Sequence, residues 1–357
     1  MGISARIIER SPIFGLNKSL KAGGGSAGDP ICPLFPKNFA RGSGDRIYKI
    51  LRPFAQGGMS ILYEVQDGNG KLHLLKMPCG LDQYDEAVQI DLWKRFRREV
   101  RILHGIHHTD ILPADFAQHR DKVVRLTDWD PCWDPAKPSE AFPKYYIEEM
   151  IVGHDLEKVV ESHQVVDSLH ATTIIYSVML GLVVFGEVAR RLGEGTFAHR
   201  DLKPGNIRLE MIGGHIKRVV LMDFGIAHLA REYNEKLTKT GAFWGTPDYP
   251  APETFPSRSD QADQRSDIFV AGFIWYELLT GMAPFDSKNL EQTRLFYSRP
   301  QAFIDRLAVE CQQTGRVPVN VRNILFRALS AHPDNRYQSY AETAGVLHDL
   351  ITKLQRA

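Results

Sequence analysis

His199-Arg200-Asp201-Leu202-Lys203-Pro204-Gly205-Asn206 places a carboxylate, an ammonium and a carboxamide in one short loop. Asp201 can orient a hydroxyl and accept its proton. Asn206 can offer an amide oxygen to a metal ion, and Lys203 can neutralise negative charge that develops nearby. Pro204-Gly205 keeps the loop tight, so that Asp201 and Asn206 face one cavity. A match this short can arise by chance. Its weight depends on whether companion groups follow in order along the chain.

Size and composition set the bounds. At 357 residues the chain can form two lobes and a sizeable core. Its 43% apolar and 24% charged residues are ordinary for a soluble globular protein. With 44 basic and 43 acidic residues, nothing favours bulk attraction to nucleic acid or to a membrane surface. Cys32, Cys79, Cys132 and Cys311 are scattered and form no C-x-x-C pair, which points to a reduced, cytoplasmic setting without disulfide or metal roles. Met1 to Leu20 has neither an apolar core nor a small-residue cleavage site, so no secretory leader is expected. Arg6 stands where a myristoylation signal on Gly2 needs Ser or Thr. The most apolar run, Ile174 to Val188, is too short to span a bilayer and contains Ser177 and Glu187, so it is expected to be a buried helix.

Residues 1–44 read as an extension, with a flexible linker at Lys21 to Pro30. Regular structure is expected from Ile47-Tyr48-Lys49-Ile50-Leu51, an alternating strand pattern. Phe54 to Val65 holds a Gly57-Gly58 turn between two strands. His73-Leu74-Leu75-Lys76-Met77 is a strand with one cation among apolar neighbours, and an inward Lys needs an anionic partner. Asp85 to His104 has helical spacing, with Val88, Leu92, Phe96, Val100 and Leu103 in one stripe and Glu99 within it. Arg95, Arg97, Arg98 and Arg101 suit a solvated face. His104, His107 and His108 lack a carboxylate or cysteine at metal spacing, so zinc is not expected there. The stretch 117–143 is longer than a strand connection needs and reads as an insertion, either plain surface or a docking loop anchored by Trp129 or Trp133. Tyr145 to Gly153 reads as a strand and its exit. Ser168 to Leu192 is a long buried helix. Val219-Val220-Leu221-Met222 is a short strand that delivers Asp223-Phe224-Gly225. Leu237 to Glu253 ends on Ala251-Pro252-Glu253, a helix opens near Ser266-Asp267 and runs to Thr280, and an amphipathic helix spans Tyr337 to Leu354.

Taken together, from Asp45 to Leu354, these motifs resemble the protein-kinase superfamily. The segments Phe54 to Ser60, Arg95 to Glu99 and Thr238-Lys239-Thr240 resemble more closely the bacterial eukaryotic-like (Hanks-type) Ser/Thr kinases. The resemblance implies an α+β, two-lobed fold: a small antiparallel N-lobe sheet with its αC helix (45–150, carrying the 117–143 insertion) and a larger, mainly helical C-lobe (151–357), with ATP between them. It implies transfer of the ATP γ-phosphoryl group to Ser/Thr hydroxyls of protein substrates. Asp201 would be the catalytic base, Lys203 the charge neutraliser, and Lys76 the ligand of the α/β-phosphates, backed by Glu99. Asn206 and Asp223 would hold Mg2+, with Mn2+ as an alternative. Ala55, Gly57, Gly58, Ser60 and Leu62 would cover the phosphates, and Leu74, Glu149 and Ile151 would line the adenine. Only Gly57 keeps the family's glycine pattern in that loop, Ala55 and Ser60 replacing its first and third glycines. Leu74 and Glu148, at the gatekeeper position, also depart from it and imply a tighter or more polar nucleotide pocket. Asp267 would cap and brace the catalytic-loop backbone, and Arg336 would pair with Glu253. Lys203 and Thr246 point to Ser/Thr specificity, and Thr238 and Thr240 are expected autophosphorylation sites that dock near Arg200.

Two other readings compete. A pseudokinase or nucleotide-binding scaffold would account for the departures, but it would not need Lys76, Glu99, Asp201, Asn206 and Asp223 together. A small-molecule phosphotransferase of the aminoglycoside-kinase type would lack the Gly-Thr…Ala-Pro-Glu substrate platform. Expected partners are ATP and protein substrates, with a homodimer or regulatory partner engaging the extension or the 117–143 insertion.

Overall fold

The computed structural model describes residues 38–56, 60–81, 84–135, 142–194, 198–224, 249–254, 263–286 and 289–356. The expectations for residues 1–37, for Gly57 and Gly58, for the TxT pair Thr238 and Thr240, and for Thr246 lie outside them. The described residues fall into two units.

The first unit comprises residues 38–111 and 124–151. Its strands are β1 (Phe39–Arg41), β2 (Ile47–Gln56), β3 (Ser60–Gln66) and β4 (Leu72–Pro78), followed by helix α1 (Glu86–His108), then β5 (Leu126–Trp129) and β6 (Tyr146–Glu149). They form one antiparallel sheet in the order β1-β2-β3-β4-β6-β5. Tyr48, Ile50, Tyr63, Val65, Leu75 and Ile147 cluster as an apolar core. Side chains alternate along a strand, so the pairs Lys76↔Tyr146 and Leu74↔Glu148 share the opposite face from Leu75↔Ile147.

Regular structure starts earlier than the sequence pattern indicates. Strand β1 pairs with β2 from Phe39↔Lys49 to Arg41↔Ile47. Its hold comes from distant residues. Tyr145 Oη donates to the Arg41 carbonyl at 2.5 Å. Fully buried Asp128, on β5, accepts from Ser43 N (2.7 Å), Ser43 Oγ (2.6 Å) and Tyr48 Oη (2.9 Å), and Arg46 Nε lies 3.0 Å away. β1 and β5 are the two sheet edges, so these bonds tie one edge to the other. Gly42 is required by this approach: a Cβ there would lie 2.0 Å from Asp128 Oδ2.

Helix α1 starts as expected, with Asp85 Oδ1 accepting from Val88 N at 3.0 Å. It ends at His108, among the three histidines. His107 Nε2 and His108 Nε2 lie 3.1 and 2.8 Å from the carbonyls of Val124 and Leu126. A carbonyl can only accept, so both nitrogens carry the proton. His104 stacks on His108 and meets Trp129 edge-on at 4.9 Å. These histidines therefore fasten the end of α1 to β5 and to the segment just before it. Trp133 is 4% exposed, which removes it as an outward docking anchor and makes it part of this unit's interior.

The second unit comprises residues 112–123 and 152–356 among those described. Short α2 (Ala114–Ala117) precedes β7 (Gly153–Asp155), α3 (Leu156–Glu161) and α4 (Ser168–Arg191). Strands β8 (Ile207–Ile212) and β9 (His215–Leu221) join β7 in an antiparallel sheet. Helices α5 (Gln264–Thr280), α6 (Leu290–Ser298), α7 (Pro300–Gln313), α8 (Val319–Ala328) and α9 (Tyr340–Leu354) follow. Helix α4 is longer than its apolar run suggested and is the one described helix long and apolar enough to cross a membrane, but 72% of its most apolar window is buried within the protein, in keeping with the expected buried helix. Helix α5 is buried along nearly its whole length and ends at Gly281, whose φ of 71° few other residues adopt.

Candidate active site

In the second unit the site is built on the loop before β8. Asp267, in the first turn of α5, holds that loop. Its Oδ2 accepts from His199 N at 2.6 Å and its Oδ1 from Arg200 N at 2.9 Å, while Tyr340 Oη donates to Oδ2. Burial pushes the Asp267 carboxyl up, and the His199 ring and these donors oppose it. The bracing role expected of Asp267 is present. Asp267 caps the two loop N–H groups, while the N-cap of α5 itself is Asp263, whose Oδ1 accepts from Arg265 N at 2.8 Å.

Asp201 is 7% exposed. Lys203 Nζ lies 3.0 Å from Asp201 Oδ2, and Asn206 Nδ2 donates to the Asp201 carbonyl at 2.7 Å. The loop thus brings Asp201, Lys203 and Asn206 together. Asn206 N–H closes a turn onto the Lys203 carbonyl, and the Asn206 carbonyl accepts from Met222 N at 2.9 Å, which ties the loop to the end of β9. Asp223 follows directly, with φ of 54°. Phe224 stacks on Phe185 at 3.7 Å and lies 5.3 Å from the His199 ring. Because Asn206 spends its NH2 group on Asp201, its amide oxygen is the end it can turn toward a cation. That oxygen and the Asp223 carboxylate are hard oxygen donors of the kind Mg2+ prefers, so the residues fit such an ion.

The same unit holds the expected Arg336–Glu253 pair. Arg336 Nη1 and Nη2 reach the two Glu253 oxygens at 2.7 and 2.9 Å, and its remaining donors reach the carbonyls of Ser330, Arg265 and Ala331. Burial pushes the Glu253 carboxyl up, but the Arg336 guanidinium and the Ser266 hydroxyl outweigh it and leave it below the usual range.

In the first unit the sheet carries a second constellation. Lys76 Nζ donates to Glu99 Oε1 at 3.1 Å, and both residues are buried. Tyr146 Oη donates to the same oxygen at 3.0 Å. This third member escaped sequence reading, although the alternation that turns Lys76 inward also turns its strand partner Tyr146. Leu74 and Glu148 are paired on the same face, 4% and 2% exposed. Ala55 pairs with Leu62, and Ser60 opens β3. Glu149 N–H is committed to the Arg125 carbonyl at 2.9 Å, so any hinge contact from Glu149 would come from its carbonyl. Ile151 is 4% exposed.

The fold and the two constellations define a protein kinase domain. The model for the protein kinase domain matches residues 48–345, and the chain belongs to that family, whose members use ATP and a divalent metal ion. It is 29% identical over 306 residues to the probable serine/threonine-protein kinase PknB of Corynebacterium glutamicum, covering 84% of this chain and 41% of that protein. It is 28% identical over 286 residues to the serine/threonine-protein kinase PknB of Mycobacterium tuberculosis, covering 80% of this chain and 40% of that one. The chain spans about two fifths of the length of these curated relatives. Among solved structures, Rad53 residues 1–466 in complex with AMP-PNP superpose with a TM-score of 0.54 at 21% identity, covering 83% of this chain and 64% of that one. The Mycobacterium tuberculosis PknI kinase domain gives 0.51 at 20%, covering 87% and 97%. These two show the shared fold.

Proposed function

We propose that the chain is an ATP-dependent protein-serine/threonine kinase. The observation that carries this reading is the loop in which Asp201, Lys203 and Asn206 are bonded together and held from behind by Asp267. Asp201 orients the substrate hydroxyl and accepts its proton as the hydroxyl attacks the γ-phosphorus. Lys203, already 3.0 Å from Asp201, offsets charge on the transferring group. Lys76 takes the α/β-phosphates, with Glu99 behind it. Asn206 and Asp223 would hold Mg2+, which when bound neutralises phosphate charge. We place the domain in the cytoplasm, where ATP is available to it. Protein substrates are the expected partners, and the extension and the 117–143 stretch are the places we propose for a regulatory partner.

The test is incubation with Mg2+ and labelled ATP, with and without dephosphorylated casein, beside Asp201→Asn. Label on serine or threonine in the wild type alone is the expected result. Equal label in both proteins, or none in either while Mg-ATP still binds, would overturn this reading in favour of a nucleotide-binding scaffold.

A further inference from the structure

Lysine–glutamate pairing in this site is completed by a third residue. Glu99 Oε1 accepts two bonds, from Lys76 Nζ at 3.1 Å and from Tyr146 Oη at 3.0 Å. The Tyr146 ring also flanks the ammonium, with Lys76 Nζ 5.6 Å from its centroid. All three residues are at most 3% exposed. Tyr146 is itself held on two sides. Its backbone sits inside the sheet, between Lys76 of β4 and Trp129 of β5. Its ring packs 5.4 Å from Phe96, which lies one turn before Glu99 on α1. Phe96 and Glu99 therefore present one helix face to one tyrosine.

We propose that Tyr146 is a positioning residue for the Lys76–Glu99 pair. A glutamate side chain on a helix has several rotamers, and a lysine is a flexible point charge that fixes none of them well. A hydroxyl carried on a rigid aromatic stem in a central strand fixes one carboxylate oxygen in space. With that oxygen fixed, the ammonium is aimed by Glu99. Tyr146 thus sets the rotation of α1 and the aim of Lys76 together. This inference rests on the kinase reading, in which Lys76 meets the phosphates of ATP.

The experiment is a double-mutant cycle with Tyr146→Phe and Glu99→Gln in the full chain. It is read twice: as kcat/KM for ATP at saturating protein substrate, and as the Mg-ATP dissociation constant by calorimetry. Tyr146→Phe keeps the ring and loses only the bond to a charged acceptor. It should lower kcat/KM for ATP about tenfold and leave KM for the protein substrate unchanged. In the Glu99→Gln background the same change should cost less than about twofold, because the oxygen it positions no longer matters. Equal losses in both backgrounds mean that Tyr146 only stabilises the fold, and overturn the proposal, as does a Tyr146→Phe enzyme indistinguishable from an active wild type. A wild type that binds Mg-ATP without turnover leaves the calorimetric cycle to decide the proposal, while the kinase reading fails separately. A wild type that does not bind Mg-ATP overturns both.

Discussion

Replacing Asp128 by Asn should weaken the first unit by an amount the bonding pattern sets. At Oδ1 the carboxylate accepts from Ser43 N, Ser43 Oγ and Trp129 N, and at Oδ2 from Tyr48 Oη, with Arg46 Nε beside it. The Asn oxygen can keep the Oδ1 bonds. Its NH2 group then faces two donors. The Tyr48 hydroxyl can turn and accept, so a charge-assisted bond becomes a neutral one, a loss of about 1 kcal/mol. Arg46 cannot accept, but its side chain is 53% exposed and can turn to water, so its loss adds about 0.5–1 kcal/mol. The sum is about 2 kcal/mol. Asp128→Ala strands the Ser43 N–H and the Tyr48 hydroxyl in a buried site and should cost about 4–6 kcal/mol, close to the whole stability of a small domain. Gly42→Ala attacks the same contact from the other side, since its Cβ would strike Asp128 Oδ2. The assay is urea unfolding followed by tryptophan fluorescence, where Trp129 adjoins the bonded carboxylate. An Asp128→Ala protein that unfolds within about 1 kcal/mol of wild type would refute the edge-to-edge tie.

Arg336→Leu leaves Glu253 buried without its cation and should cost about 3–5 kcal/mol, whereas adding Glu253→Gln should restore part of it; additive losses in urea melts would contradict the pairing. Burial and the neighbouring His108 push His104 down from 6.5 to about 4. Its folded pKa is depressed, so the stability tied to neutral His104 is present above about 6.5 and is lost as pH falls toward 4; a His104 proton resonance titrating near 6.5 would contradict this. Burial pushes the hydroxyls of Tyr48, Tyr145 and Tyr276 well above their ordinary value near 10. Their folded pKa values are raised, so that contribution is complete below pH about 10 and is lost above it. Absorbance at 295 nm should show these tyrosines ionising only as the chain unfolds, and full ionisation of a still-folded protein would count against it.

What could be read from sequence follows from the range of the forces involved. Helix α1 was legible from its periodic apolar stripe and α4 from its long apolar run, both local properties. The motifs at 199–206 and at Asp223 were legible because residue type and order alone define them. Strand β1 was not legible. Three residues, Phe39-Ala40-Arg41, show no usable alternation, and what holds them is a carboxylate far along the chain at Asp128. The 117–143 stretch looked like an insertion for the same reason: its length was visible, but its pairing with β6 was not. The end of α1 near its histidines was legible, but not their bonds to the carbonyls of Val124 and Leu126, which lie on a later segment.

The candidate site also shows why its residues are spread along the chain. Arg200 and Asp223 both hold positive φ, 61° and 54°, a conformation that costs a non-glycine residue about 1–3 kcal/mol. Arg200 N–H is held by Asp267, which is itself fixed by Tyr340 at the start of α9. Asp223 follows Met222, whose N–H is bonded to the Asn206 carbonyl, and precedes Phe224, whose ring is clamped on Phe185 of α4. Each strained turn is therefore held by elements that form elsewhere in the fold. The placement of Asp201 and Asp223 thus depends on the packing of α4, α5 and α9 behind the two turns.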